Sequence, residues 1–170
     1  MNVDFQMTPI GEMGVGEEGG RIVRLFFVFE KKKWLDSISE TDSVQIKRTA
    51  ILNRAAQQLE EYFQGKRRHF DLPLAPHGTD FQRSVWNALL TVEYGTTATY
   101  QEIAEKIDNK NAARAVGGAC HCNPIALVVP CHRIIGTNRK LTGFAAGLDK
   151  KQWLLQLEQK HRLTKIPIEK

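Results

Sequence analysis

The chain has 170 residues, 42% of them apolar and 25% charged, a globular composition that excludes an intrinsically disordered chain and suits one ordinary domain or two small ones. The N-terminus, MNVDFQMTPIGEMG, has neither a basic flank with an apolar core nor a cleavage site, and no apolar run reaches the roughly 18 residues of a membrane span, so a soluble, cytoplasmic protein without a membrane partner is expected. The net charge of +5 is uneven, with 11 basic and 11 acidic residues up to Gly78 but 13 and 8 from Thr79 onward, which points the second half toward an anionic partner such as nucleic acid.

In chain order, residues 7 to 30 hold two short strand candidates around the turn-like GEEGG at 16 to 20, the second being Ile22 to Phe29, so a hairpin is expected. A charge run, Glu30-Lys31-Lys32-Lys33, reads as a solvated face. From about Val44 to Gln64, residues Ile51, Leu52, Ala55, Ala56, Leu59, Tyr62 and Phe63 recur at helical spacing, with Gly65 as the stop. A helix on a small sheet follows from this, and DLPLAPHG, with its two prolines and a glycine, reads as a linker.

The second half reads as short helices. Thr79 or Asp80 can cap a helix whose Phe81, Val85, Trp86, Leu89 and Leu90 share a face, with Gly95 marking its end. Tyr100 to about Ile107 and, after Asp108-Asn109-Lys110, a helix capped by Asn111 make a helix-turn-helix candidate. In that second helix Ala112, Ala113, Ala115, Gly117, Gly118 and Ala119 are small, and Arg114 alone is long. Gly117 and Gly118 cost about 1 kcal/mol each against Ala in a helix interior, which either tight helix packing or close approach of a ligand would offset. The fold class expected is therefore α+β: a sheet-plus-helix domain over residues 1 to 78, then a mainly helical domain over 79 to 165 with a helix-turn-helix.

The chemistry concentrates in NPIALVVPCHRIIG, Asn123 to Gly136, where a strand-like apolar run enters Pro130 and then Cys131-His132-Arg133. Three cysteines, two of them in CHC at 120 to 122, do not form a disulfide framework and fit a reducing compartment. For Cys131 three chemistries compete: nucleophile, metal ligand or buried filler. Cys120, Cys122, Cys131, His121 and His132 are zinc-type donors, yet neither CHC nor the adjacent Cys131-His132 has the two-residue gap that lets paired side chains converge on one ion. Buried cysteine is a common filler, but the flanking Pro, His and Arg favour a turn. Positive or polarising neighbours raise the thiolate fraction, so a nucleophilic thiol with a base is the leading reading, without metal or cofactor.

PCHRIIG, preceded by RAVGGA and NPIALVV and followed by LTGFAAGL and WLLQLE, resembles the O6-alkylguanine-DNA alkyltransferases, the methylated-DNA–protein-cysteine methyltransferases. The likeness runs from about Gly78 to Glu158, and more loosely through TPIG and YFQGKR in the first half. It implies a DNA-repair protein that flips O6-alkylguanine, chiefly O6-methylguanine and also O4-methylthymine, out of double-stranded DNA. The alkyl group passes irreversibly to the protein's own cysteine, once per molecule, and the protein acts as a monomer. By the resemblance Cys131 is the acceptor, His132 (through a water) and Glu158 deprotonate it, and Asn123 braces the turn. Tyr100 supports proton delivery to the leaving guanine, Arg114 enters the base stack from the small-residue helix, and Ile134, Phe144, Ala145, Ala146 and Lys151 lie at the base pocket. The chain departs from the family at Ala146-Gly147, where Gly-Gly is common, at Phe144 in place of a tyrosine, and at CHC; the extra methyl at Ala146 predicts preference for methyl over benzyl adducts. Residues 1 to 75 contain no cysteine, so no zinc site is expected there. A non-enzymatic helix-turn-helix module that binds lesions or senses through its thiol is the alternative.

Overall fold

Gly19 and Gly20, both in left-handed backbone with φ of 57° and 78°, turn the chain between β2 (Gly11–Glu18) and β3 (Arg21–Phe27), as a tight hairpin requires. The turn is locked by buried Glu17, whose carboxylate accepts from Gly20 N at 2.9 Å and from Asn2 Nδ2 at 2.6 Å. The computed structural model describes residues 1–29, 32, 35–36 and 43–163; most of the Glu30–Lys33 charge run and the expected domain end at 165 lie outside them. The hairpin is part of a larger sheet of order β3-β2-β1-β4. Strand β1 (Asn2–Thr8) pairs antiparallel with β2 from Asn2↔Glu17 to Thr8↔Gly11, and β4 (Gln45–Ile46) runs parallel to β1. The sequence reading lacked β1 because Val3, Phe5 and Met7 alternate with Asn, Asp and Gln, residues of low or middling strand preference.

Helix α1 (Ala50–Phe63) begins later than residue 44 because β4 takes residues 45 and 46, and Thr49 caps it by accepting from Leu52 N. It buries Leu52, Ala55, Gln58, Leu59 and Tyr62 and contacts β1 and β2, then stops at Gly65, φ 73°. DLPLAPHG is not a free linker. Ile22 N donates to Pro73 O at 2.8 Å and Ala75 N to Ile22 O at 2.9 Å, so the segment covers the exposed edge of β3. Gln58 fixes its start, exchanging two hydrogen bonds with the Asp71 backbone. The chain divides into two compact units between His77 and Gly78.

In the second unit Thr79 and Gln82 form a capping box at the start of α2 (Asp80–Leu89). This helix ends at Leu90, before Gly95; Val85, Trp86, Ala88 and Leu89 are buried, but Leu90 stays 47% exposed, outside the expected apolar face. Thr99 and Glu102 form a second capping box at α3 (Tyr100–Lys106). Asp108, φ 57°, turns the chain toward α4 (Ala113–His121), which packs on α3 and α2. The expected Asn111 cap is not formed: Ala112 is the N-cap residue and no side chain caps α4. Two-residue strands β5 (Ala98–Thr99) and β6 (Ile134–Ile135) pair in parallel, and α5 (Leu148–His161) closes the unit.

Candidate active site and nucleic-acid interface

The apolar run before the thiol is a closed turn, not a strand. Asn123 accepts from Ile125 N at 3.0 Å and donates from Nδ2 to Val129 O at 2.8 Å and to Cys131 Sγ at 3.2 Å. Val129 N returns to Ile125 O at 3.0 Å, and Leu127 takes a left-handed φ of 67°. That conformation costs a non-glycine residue on the order of 1 kcal/mol, against which Ile125, Leu127, Val128 and Val129 all bury their side chains. Pro130, without an amide N–H, leads into a short 3-10 turn, Cys131–Arg133, in which all three side chains are buried.

Cys131 is 8% exposed. Burial pushes its thiol above the usual range, opposed by the Asn123 hydrogen bond, the Lys151 charge and nearby backbone amides, so at rest it is protonated. Behind it, His132 Nε2 lies 2.7 Å from Glu158 Oε1, both side chains fully buried. Burial works against the Glu158 charge, but His132 and Arg133 outweigh it and hold the carboxyl well below the carboxylate range. His132 is held below its ordinary value, first by burial, with Arg133 and Lys151 adding to it and Glu158 opposing. A neutral imidazole beside an ionised carboxylate donates from Nε2. Its Nδ1 is buried and has no hydrogen-bond partner among the described residues.

Strands β5 and β6 bring Tyr100, which follows β5, beside the segment that follows Cys131. Tyr100 donates its hydroxyl to Thr142 O at 3.1 Å, and burial keeps the phenol protonated. Lys151 is fully buried, and its ammonium donates to Ile134 O, to Thr142 O at 2.8 Å and to Gly143 O at 3.3 Å, which uses all three of its protons. Ile134 and Ala146 are buried, Phe144 is half-buried and Ala145 is exposed, in a turn closed by Gly147 N donating to Phe144 O.

On α4, Arg114, Ala115 and Gly118 are exposed, Ala113 and Gly117 are half-buried, and Ala112 is 7% exposed, turned away from that face. A methyl group built on Gly118 would meet nothing within 4 Å, and one on Gly117 would make only ordinary contact with the Tyr100 ring at 3.8 Å. Tight packing against the described residues therefore does not account for these glycines. No helix among the described residues is long and apolar enough to cross a membrane.

The family model described as 6-O-methylguanine DNA methyltransferase, DNA binding domain, matches residues 80–160, and its ribonuclease-like domain matches residues 2–76. The chain belongs to the 6-O-methylguanine DNA methyltransferase family. A methylated-DNA–protein-cysteine methyltransferase of Methanosarcina acetivorans is 50% identical over 153 residues, covering 89% of this chain and 94% of that protein. A constitutive one of Bacillus subtilis is 42% identical, covering 89% and 92%. The crystal structure of Mycobacterium tuberculosis OGT in complex with DNA matches with a TM-score of 0.85 and 40% identity, covering 95% of this chain and 94% of that one. The α+β class expected from the sequence is the fold of this family.

One residue escaped the sequence reading. Arg133 was read as a charge beside the thiol, yet its guanidinium turns to Glu158, with Nε 2.9 Å from Oε2 and Nη2 3.0 Å from Oε1. The positive neighbour that acts on the thiol is Lys151, 20 positions along the chain. A buried stripe of Lys151, Leu154 and Glu158 on α5, at spacings of three and four, was the available signal. It carries two charges and one leucine, so a search for apolar periodicity passes over it.

Proposed function

We propose that this methyltransferase repairs double-stranded DNA by taking the alkyl group of O6-alkylguanine, chiefly O6-methylguanine and also O4-methylthymine, onto Cys131. The observation that carries the reading is the arrangement around that thiol: a buried sulfur held by Asn123, with a buried His132–Glu158 pair beside it in the chain. A buried imidazole nitrogen without a protein partner is suited to a water, and through it the thiol proton passes to His132 Nδ1. The thiolate attacks the alkyl carbon in line, the carbon–sulfur bond forms and the O6–carbon bond breaks. The protonated Tyr100 phenol supports proton delivery to the departing guanine, while the Lys151 charge favours the thiolate. The product is a thioether that no neighbouring group cleaves, so each molecule acts once, as a monomer, without cofactor, in the cytoplasm.

A base inside a duplex must be extruded before its O6 substituent is reached, at a cost of a few kcal/mol. Arg114, the long side chain on the exposed small-residue face of α4, fills the vacated stack. Ala115 and Gly118 let the backbone approach the groove, while Ala113 and Gly117 flank that surface. Ile134, Phe144, Ala145, Ala146 and Lys151 shape the base pocket, and the Ala146 methyl favours methyl over benzyl adducts. The non-enzymatic alternative is not favoured, since the chain's relatives are named as methyltransferases. Burial raises the Cys120 thiol to about 12, with Cys131 adding and Lys151 opposing, and it is Cys131 that Asn123 holds. Intact and peptide mass after incubation with a methylated-guanine duplex tests the reading. One added methylene on the Cys131 peptide, absent in Cys131→Ser, is expected, and an adduct on Cys120 or Cys122 would overturn it.

A further inference from the structure

We propose that Arg133 is a positioning residue for the alkyl transfer, occupying the Glu158 carboxylate so that His132 rests as a neutral imidazole able to receive the thiol proton. This inference rests on the relay described above. The Arg133 fork meets both carboxylate oxygens, at 2.9 and 3.0 Å, the planar bidentate geometry that a lysine cannot reproduce. The loop before β5 holds that fork in place. Val92 O accepts from Nη1 at 2.7 Å, the Tyr94 ring lies 5.7 Å from the guanidinium carbon, and Gly95 N donates to Glu158 Oε2 at 3.2 Å.

The charge balance follows from these contacts. A buried carboxylate facing His132 alone would draw a proton onto the ring and form an imidazolium–carboxylate pair. Such a ring has no lone pair at Nδ1 and cannot take a proton from sulfur. With Arg133 in place the carboxylate already has its counter-charge, and the groups acting on His132 are Glu158, which favours its protonation, and Arg133 and Lys151, which oppose it together with burial. In the transfer step the S–H bond breaks, the intervening water passes a proton, the Nδ1–H bond forms, and Glu158 stabilises the imidazolium that results. Arg133 touches neither substrate nor thiol in this scheme; together with burial it keeps the base neutral at rest.

The test is the rate of single-turnover methyl transfer from a methylated-guanine duplex across roughly pH 5 to 9, the range in which histidine titrates, for wild type, Arg133→Gln, Arg133→Lys and His132→Gln. Arg133→Gln is expected to move the midpoint of the rate profile upward by about one unit or more, with the rate recovering at high pH, and Arg133→Lys to restore most of the midpoint because it keeps the charge. Nitrogen NMR of His132 at neutral pH should show a neutral ring in wild type and a cation in Arg133→Gln. A uniformly slower Arg133→Gln protein with the wild-type midpoint and a neutral His132 would overturn the inference, leaving Arg133 structural. If Arg133→Gln does not fold, a wild-type midpoint in Arg133→Met overturns it equally. Failure of the relay itself is a different result: His132→Gln would then keep the wild-type profile.

Discussion

The two units bury polar groups to different ends. In the first, Glu17 closes a hairpin turn and Gln58 clasps the strap at Asp71, each engaged by backbone or amide groups nearby. In the second, His132, Arg133, Lys151 and Glu158 are buried within one site around a protonated thiol. The first pattern adds stability to a sheet edge and a turn. The second accepts the desolvation of several charges, which a fold seeking only stability would avoid by using apolar residues.

Substitutions can break this contrast. Cys131→Ser should abolish methyl transfer while leaving the thermal midpoint near wild type, read by peptide mass and calorimetry. Glu158→Ala leaves Arg133 buried without its partner and should cost about 3–5 kcal/mol, with transfer also lost, whereas Glu17→Ala should cost about 1–3 kcal/mol and leave transfer intact. Denaturant melts with the mass assay check both; equal loss of transfer in the two variants would erase the distinction. A glycine pair repeats the comparison at smaller scale. A methyl on Gly14 would lie 2.4 Å from the Phe26 ring, so Gly14→Ala should cost about 1–3 kcal/mol through overpacking. Gly118→Ala meets open space and should stabilise the helix by up to about 1 kcal/mol while weakening duplex binding, measured by fluorescence anisotropy.

Acid should act on the second unit first. Glu158 has a lowered folded pKa, so its stabilisation is present above the unfolded value near 4.3 and is lost as pH falls through the folded value. His132, also lowered, is neutral when folded. Below its unfolded value near 6.5 the unfolded chain binds a proton that the folded chain does not, and stability falls. Both signs agree. Amide-exchange protection at Ile134 and Ile135 should begin to decline below roughly pH 6.5 through His132 and fall further below roughly 4.3 through Glu158, before that of β2, and the reverse order would contradict this account.

Much of the architecture was legible because local rules decided it. Thr79 is one of the two cap residues its sequence context suggests, and the spacing of Leu52, Ala55, Leu59 and Tyr62 marks the buried face of α1. What escaped was set by partners far away in the chain. β1 is defined by β2 and β4, the DLPLAPHG segment by the edge of β3, and the turn at Leu127 by Asn123 and its buried neighbours. In the site, the residues of CHR were visible as a motif, but the direction of each side chain was not, because Arg133 is steered by Glu158, 25 positions on, and by a carbonyl at Val92.

The pairing of β5 with β6 spans only Ala98↔Ile134 and Thr99↔Ile135. It is nevertheless a splice between two pieces of apparatus: Tyr100 and the helix-turn-helix start where β5 ends, and Cys131–Arg133 finish where β6 begins. Slippage by a single residue would turn Ile134 and Ile135 to opposite faces, and Lys151 would lose the Ile134 carbonyl it holds. A shift of this pairing would therefore be felt at Tyr100 on one side and at the Lys151–Ile134 contact on the other, through two residue pairs.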